Sequence, residues 1–242
     1  EAQRLSEEME RELKAWDLGQ RYSSAHFVCV ASGDDLGMVR LSKYASEVLE
    51  ESAKALELEL NLRLTEPVLV LLMRTEDFQI NAPKWSAGIF DGRIRLALEE
   101  DADAEVFEAT VRHEVTHAAL HRLGYRLPTW MDEGLAQYME GKSVAQARDR
   151  LVEAALRGDL PSPKALQGEW VSWQDRHSVS AAYDFALSMT FWIQETYGQS
   201  ALKNLVRDLR NESLEVLGPR LLGKPFSEVQ ANHRQWLEQE TR

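Results

Sequence analysis

The 242-residue chain carries 40 acidic and 28 basic side chains, a formal net charge of −12, and a single cysteine. That charge argues against nucleic acid or an anionic membrane as a partner, and the lone Cys29 excludes an internal disulfide framework and a cysteine-ligated metal site. No stretch approaches the roughly 18 uninterrupted apolar residues of a membrane span, and the length suits one substantial core or two closely packed lobes.

The first residue is Glu rather than Met, so any targeting segment would already be gone, and an extracytoplasmic or secreted location is the expectation. Leu5, Met9, Glu12 or Leu13, and Trp16 mark a helical stripe in a charged opening segment, as for a helix laid on the domain surface or, on the sharper reading, one that binds a partner. His26–Ala31 is β-prone and ends in Ser-Gly-Asp-Asp, predicting a strand and a turn, with Cys29 as a small buried residue. A helix is predicted over 39–62, with Leu41, Tyr44, Ala45, Val48, Leu49 and Leu56 on or near its buried face. The run 67–73, apolar after its Pro, reads as a strand covered on both faces. Strand, helix and strand in that order predict that the two strands are parallel.

Residues 81–90 are loop-like up to Gly88-Ile89-Phe90, and Asp91-Gly92 is a hairpin signal between that tripeptide and 93–98. In the second arm Ile94, Leu96 and Leu98 alternate with Arg93, Arg95 and Ala97, which suits a half-buried strand near a sheet edge. Directly after it comes a helix predicted from about Ala104 to Leu123. Asp101, Asp103 and Glu105 favour its N-terminus, and Gly124 stops it.

This helix carries His113-Glu114-Val115-Thr116-His117. Side chains four apart share a helical face, so both imidazoles can close on one zinc ion, while Glu114 stands beside it. A carboxylate there can take a proton from water and return it to a leaving amine. The third protein ligand must come from elsewhere. An HExxHxxGxxH arrangement fails, because Leu120 and Leu123 occupy the Gly and His positions. His121 sits two turns from His113, too far along the axis, and reads as a solvated helix residue. Glu133, in Pro128-Thr129-Trp130-Met131-Asp132-Glu133-Gly134-Leu135-Ala136, is the remaining candidate. Thr129 and Asp132 have capping-box spacing, which predicts Glu133 in the first turn of a second, antiparallel helix, and Gly134 permits close backbone approach.

Beyond Gly141 the chain is predicted helical over 144–156, 179–197, 200–210 and 226–240, with Pro161-Ser162-Pro163 as the clearest break. Trp170 and Trp173 are expected to pack a loop onto this helical lobe or, on the sharper reading, to line a substrate pocket.

HExxH followed by W-x-x-E-G-x-A resembles the gluzincin metallopeptidases, the peptidase MA-like group that includes thermolysin-like and aminopeptidase N-like enzymes. The resemblance implies that His113, His117 and Glu133 ligate zinc and that Glu114 is the catalytic carboxylate. Fifteen residues separate His117 from Glu133, a few fewer than in the best-known branches, and the shortening falls in the turn 124–128. The resemblance further implies that Tyr183 donates to the oxyanion, with His177 as the alternative donor, and that Gly88, Ile89 and Phe90 on the edge strand hold an extended peptide. The fold expected is α+β and zincin-like: a small mixed N-terminal sheet over 1–103, its edge strand beside a helical zinc-binding lobe over 104–242, the two forming one catalytic domain. Aminopeptidase N-like relatives read a free amino group with a Gly-x-Met-Glu-Asn segment. This chain has Ala87-Gly88-Ile89-Phe90-Asp91 instead, so an endopeptidase acting on a peptide or protein substrate is expected.

Two other classes compete. A zinc-binding, catalytically inactive peptide-binding or scaffold module would have no use for Glu114, since structural zinc does not require that acid. A metal-free helical scaffold predicts no bound zinc.

Overall fold

Phe27–Ala31 and Val68–Arg74 are the most β-prone runs in the chain, and each becomes a strand. The structure, a computed structural model, describes residues 20–32, 35–80, 82, 86–125, 127–162, 165–167 and 176–239. The opening helical stripe and Trp170 and Trp173 lie outside those residues. The described residues fall into two compact units, one drawn from 1–56 and 63–119, the other from 57–62 and 120–242. One boundary between them falls after Ala119, within the helix that carries the HExxH pattern, and 57–62 belongs with the second unit.

The first unit is built on a five-stranded mixed sheet in the order β1-β2-β3-β5-β4. Its strands are β1 (Gln20–Ser23), β2 (Phe27–Ala31), β3 (Val68–Arg74), β4 (Gly88–Phe90) and β5 (Ile94–Leu98). As the strand–helix–strand order predicts, β2 runs parallel to β3, and β3 in turn is parallel to β5. The hairpin turn at Asp91-Gly92 makes β4 antiparallel to β5, with Gly92 at φ +98°, a conformation that only Gly adopts without strain. Sequence reading put 93–98 near an edge; β5 is one strand in, and β4 is the edge itself. β1 escaped notice because Gln20-Arg21-Tyr22-Ser23 is polar and mostly exposed, and only pairing with β2 makes it a strand.

Helix α1 (Leu36–Leu60) buries Met38, Ala45, Leu49 and Leu56, and β2, β3 and β5 bury Phe27, Val70, Leu72, Ile94 and Leu96. Cys29, 1 % exposed, has its thiol pushed up to about 11 by burial, so it is an inert core residue. A short helix, Thr75–Phe78, follows β3 and buries Phe78. Helix α2 (Ala104–Arg122) begins where Asp103 accepts from the amides of Glu105 and Val106 at 2.9 and 3.3 Å. It ends as Gly124 suggests: Gly124 has φ +77°, and the Tyr125 amide returns to the Leu120 carbonyl at 2.9 Å.

The second unit is helical. It contains α3 (Thr129–Glu140), α4 (Val144–Arg157), α5 (Arg176–Tyr197), α6 (Gln199–Asp208) and α7 (Phe226–Gln239), with a single helical turn at Leu214–Leu217 and a π turn at Gly218–Leu222 between α6 and α7. Its hub is α5, which packs against α3, α4 and α6. Trp130, 1 % exposed, stacks on Phe226 with ring centroids 5.7 Å apart. Arg150 of α4 grips Asp184 of α5 with two hydrogen bonds of 2.7 and 2.5 Å, which keeps that buried carboxylate compensated. The sheet and helical lobe make the chain α+β, and among the described residues no helix is long and apolar enough to cross a membrane.

The cap of α3 differs from expectation. Pro128 holds the N-cap position at φ −62° and ψ 144°, and its carbonyl accepts from Met131 and Asp132. Proline's fixed φ is already set for that half-helical position, so Thr129 is the first helical residue and Glu133 opens the second turn. Gly134 does allow close approach. A Cβ there would stand 2.5 Å from the Ala186 carbonyl oxygen and closer still to Thr190 Oγ1, both on α5. Gly134→Ala is therefore expected to lower stability by about 1–3 kcal/mol through overpacking, read as a fall in melting temperature. An unchanged melting temperature would mean that α3 and α5 are not held this close.

Candidate metal centre

Two elements of the first unit set the HExxH residues. On α2, His113 and His117 share a face, with their Nε2 atoms 3.1 Å apart and their rings edge to face at 4.7 Å between centroids. The opposite face buries Val111, Val115, Ala118 and Ala119, so packing fixes the rotation of the helix. Thr116 returns its hydroxyl to the Arg112 carbonyl at 2.8 Å and takes no part in the site. His121 is exposed, as expected of a residue facing solvent.

Glu114 is 7 % exposed and lies against the edge strand. A Cβ at Gly88 would come 2.8 Å from Glu114 Cγ and 2.7 Å from Thr110 Cγ2. Only a residue without a side chain lets β4 pass so near, so Gly88 helps to hold the Glu114 carboxylate in place. Sequence reading named Gly88 for substrate binding alone. It missed Thr110, which lies one turn before Glu114 on the same face.

The ladder between β4 and β5 gives β4 a direction. The Ala97 amide donates to the Ala87 carbonyl at 2.9 Å, and the Asp91 amide donates to the Arg93 carbonyl at 3.2 Å. By the alternation of an antiparallel pair, the main-chain groups of Ile89 face Arg95 on β5, and those of Gly88 and Phe90 face the other side. There the Ser86 hydroxyl donates to the Gly88 carbonyl. At the hairpin tip the Asp91 carboxylate pairs with Arg95 and, at 3.8 Å, with Arg93.

In the second unit, Glu133 and Gln137 are one turn apart on α3. The Gln137 side-chain amide, 2 % exposed, donates to the Glu133 carbonyl at 3.3 Å and to the Tyr183 carbonyl on α5 at 2.9 Å. Tyr183 is half-buried, while His177 in the first turn of α5 is exposed. Gln137 also went unnoticed in the sequence. Its signal was a polar residue four positions after Glu133 and two turns after Trp130, on the helix face that also carries Gly134.

His113, His117 and Glu133 each offer a ligand atom within 4.8 Å of the other two, a group that can hold a metal ion. Two imidazole nitrogens and a carboxylate oxygen suit zinc, and ligands about 2.0–2.1 Å from a tetrahedral ion stand roughly 3.3 Å from one another. The 3.1 Å between the two imidazole nitrogens agrees with that spacing. No protein-family model and no curated protein matches this chain.

Proposed function

We propose that this chain is a gluzincin-like zinc metallopeptidase that cleaves peptide bonds within a chain. The observation that carries the reading is the pair of Nε2 atoms 3.1 Å apart on an HExxH helix, with a ligand atom of Glu133 within 4.8 Å of them. Three protein ligands leave a coordination position open, as catalytic zinc sites do and structural ones do not. A zinc ion held there supplies Lewis acidity, lowering the pKa of water and drawing electron density from a carbonyl oxygen.

The protein's own residues do the rest. Glu114, fixed against β4, takes a proton from the attacking water and delivers it to the departing amine. Tyr183 is assigned by resemblance as the donor to the oxyanion that forms as the carbonyl carbon becomes tetrahedral. An extended substrate pairs with the outer edge of β4 through the main-chain groups of Gly88 and Phe90, taking the place of the Ser86 hydroxyl at the Gly88 carbonyl.

An aminopeptidase needs an anion beside the scissile bond to hold the substrate's α-amino group. Asp91, the acid nearest the edge strand in sequence, is committed to Arg95 and Arg93 in the hairpin turn. Without such an anchor the substrate can extend in both directions from the metal. The test is a peptide offered with a free N-terminus and again acetylated, with mass spectrometry to locate the cuts. Internal cleavage at similar rates, abolished by a zinc chelator and restored by added zinc, is expected. Stepwise loss of N-terminal residues that acetylation stops would make this an aminopeptidase, and cleavage indifferent to chelator would remove zinc from the reaction.

A further inference from the structure

Helix α3 brings Glu133 to its place only if it sits at one height and one rotation against its neighbour α5. Apolar packing alone sets that poorly, since a ridge can slide along a groove. Two features supply the missing constraint. Gly134 lets the backbones meet at Ala186, where the Ala186 carbonyl also accepts the Thr190 hydroxyl at 3.0 Å. One turn further on, Gln137 spends its amide on two carbonyls, Glu133 on its own helix and Tyr183 on the other.

We propose that Gln137 is a positioning residue for the metal centre: by tying the carbonyl of Glu133 to that of Tyr183, it fixes the register of α3 on α5 and thereby aims the Glu133 carboxylate. The inference rests on the reading of Glu133 as a zinc ligand. A helix-interior amide is a costly choice at a 2 % exposed position, where Leu or Met fills the same space without a polar group to satisfy. Both carbonyls it bridges belong to helix residues, so their place in the helical ladder does not depend on it. What the amide adds is a directional tie between two helices, which apolar contact does not provide. Partners that orient a ligand from outside its coordination sphere change metal affinity by about 10–100-fold when lost.

Gln137→Met keeps the volume and removes both donors; Gln137→Asn keeps the amide but shortens its reach by one methylene. For each folded variant, zinc affinity is measured by competition with a chromogenic chelator, and melting temperature is measured on metal-free protein. The expected result is zinc binding weakened by about 10-fold in both, with kcat lowered more than KM is raised. The metal-free melting temperature of Gln137→Met should fall by no more than about 2–4 °C. Zinc affinity equal to wild type in either variant, whatever its melting temperature, overturns the inference. The underlying reading fails separately, if wild-type protein binds no zinc or if Glu133→Ala binds it as tightly as wild type.

Discussion

Glu114→Gln is expected to retain zinc and lose turnover, with kcat falling by on the order of 10²–10⁴-fold. The amide matches the carboxylate in size, so the contacts of Glu114 with β4, crowded enough that only Gly fits at position 88, should survive the change. What disappears is a group able to accept the proton of the attacking water. Zinc content separates this outcome from a folding defect, because His113 and His117 lie on the same helix and report on its integrity. Full zinc with lost activity supports the general-base role, whereas full zinc with wild-type activity would remove Glu114 from the reaction.

Acid should weaken the helical lobe through His233. This imidazole is wholly buried, ringed by Phe185, Trp192 and Trp236, with Nε2 2.9 Å from the Ser188 hydroxyl. Burial, reinforced by the positive charge of Arg234, holds its pKa down to about 3 from an ordinary 6.5. The unfolded chain therefore takes up a proton as pH falls through 6.5, and the folded chain does not do so until about 3. Its contribution to stability is full above 6.5 and declines as pH drops toward 3. Between neutrality and about pH 5 the loss should come to roughly 2 kcal/mol from this group. Glu50 acts in a lower window. Burial raises its pKa, but hydrogen bonds from Ser24 and His26 more than offset this and hold it below 4.5, so its contribution is lost only in stronger acid.

Denaturant unfolding of metal-free wild type and His233→Phe at about pH 7.5 and 5 isolates the effect, since the substitution leaves every other ionisable side chain in place. The wild type should lose roughly 2 kcal/mol more than the variant over that interval. Parallel losses would place His233 in contact with water.

The helix that carries the candidate site was legible because its determinants are local: acids ahead of Ala104, an apolar face at helical spacing, and Gly124 to stop it. The parallel β2–β3 pair and the Asp91-Gly92 hairpin were legible for similar reasons, namely the order of elements and a turn that needs positive φ. Most of what escaped depends on residues distant in the chain. Gln20-Arg21-Tyr22-Ser23 has no strand signal until β2 pairs with it. Capping-box spacing pointed to Thr129, but the constraint that Pro128 places on its own backbone decided the helix start. Gln137 and His233 look like ordinary polar residues on amphipathic helices, and their roles come from a carbonyl 46 positions away and a hydroxyl 45 positions away.

In the proposed metallopeptidase, His113, His117 and Glu133 hold one catalytic zinc ion. Purified protein should contain about one zinc per chain by elemental analysis, and Glu133→Ala should lose most of it, even though that residue lies outside the HExxH pattern. Zinc content unchanged by Glu133→Ala, or wild-type protein free of zinc after equilibration with the metal, would contradict the account.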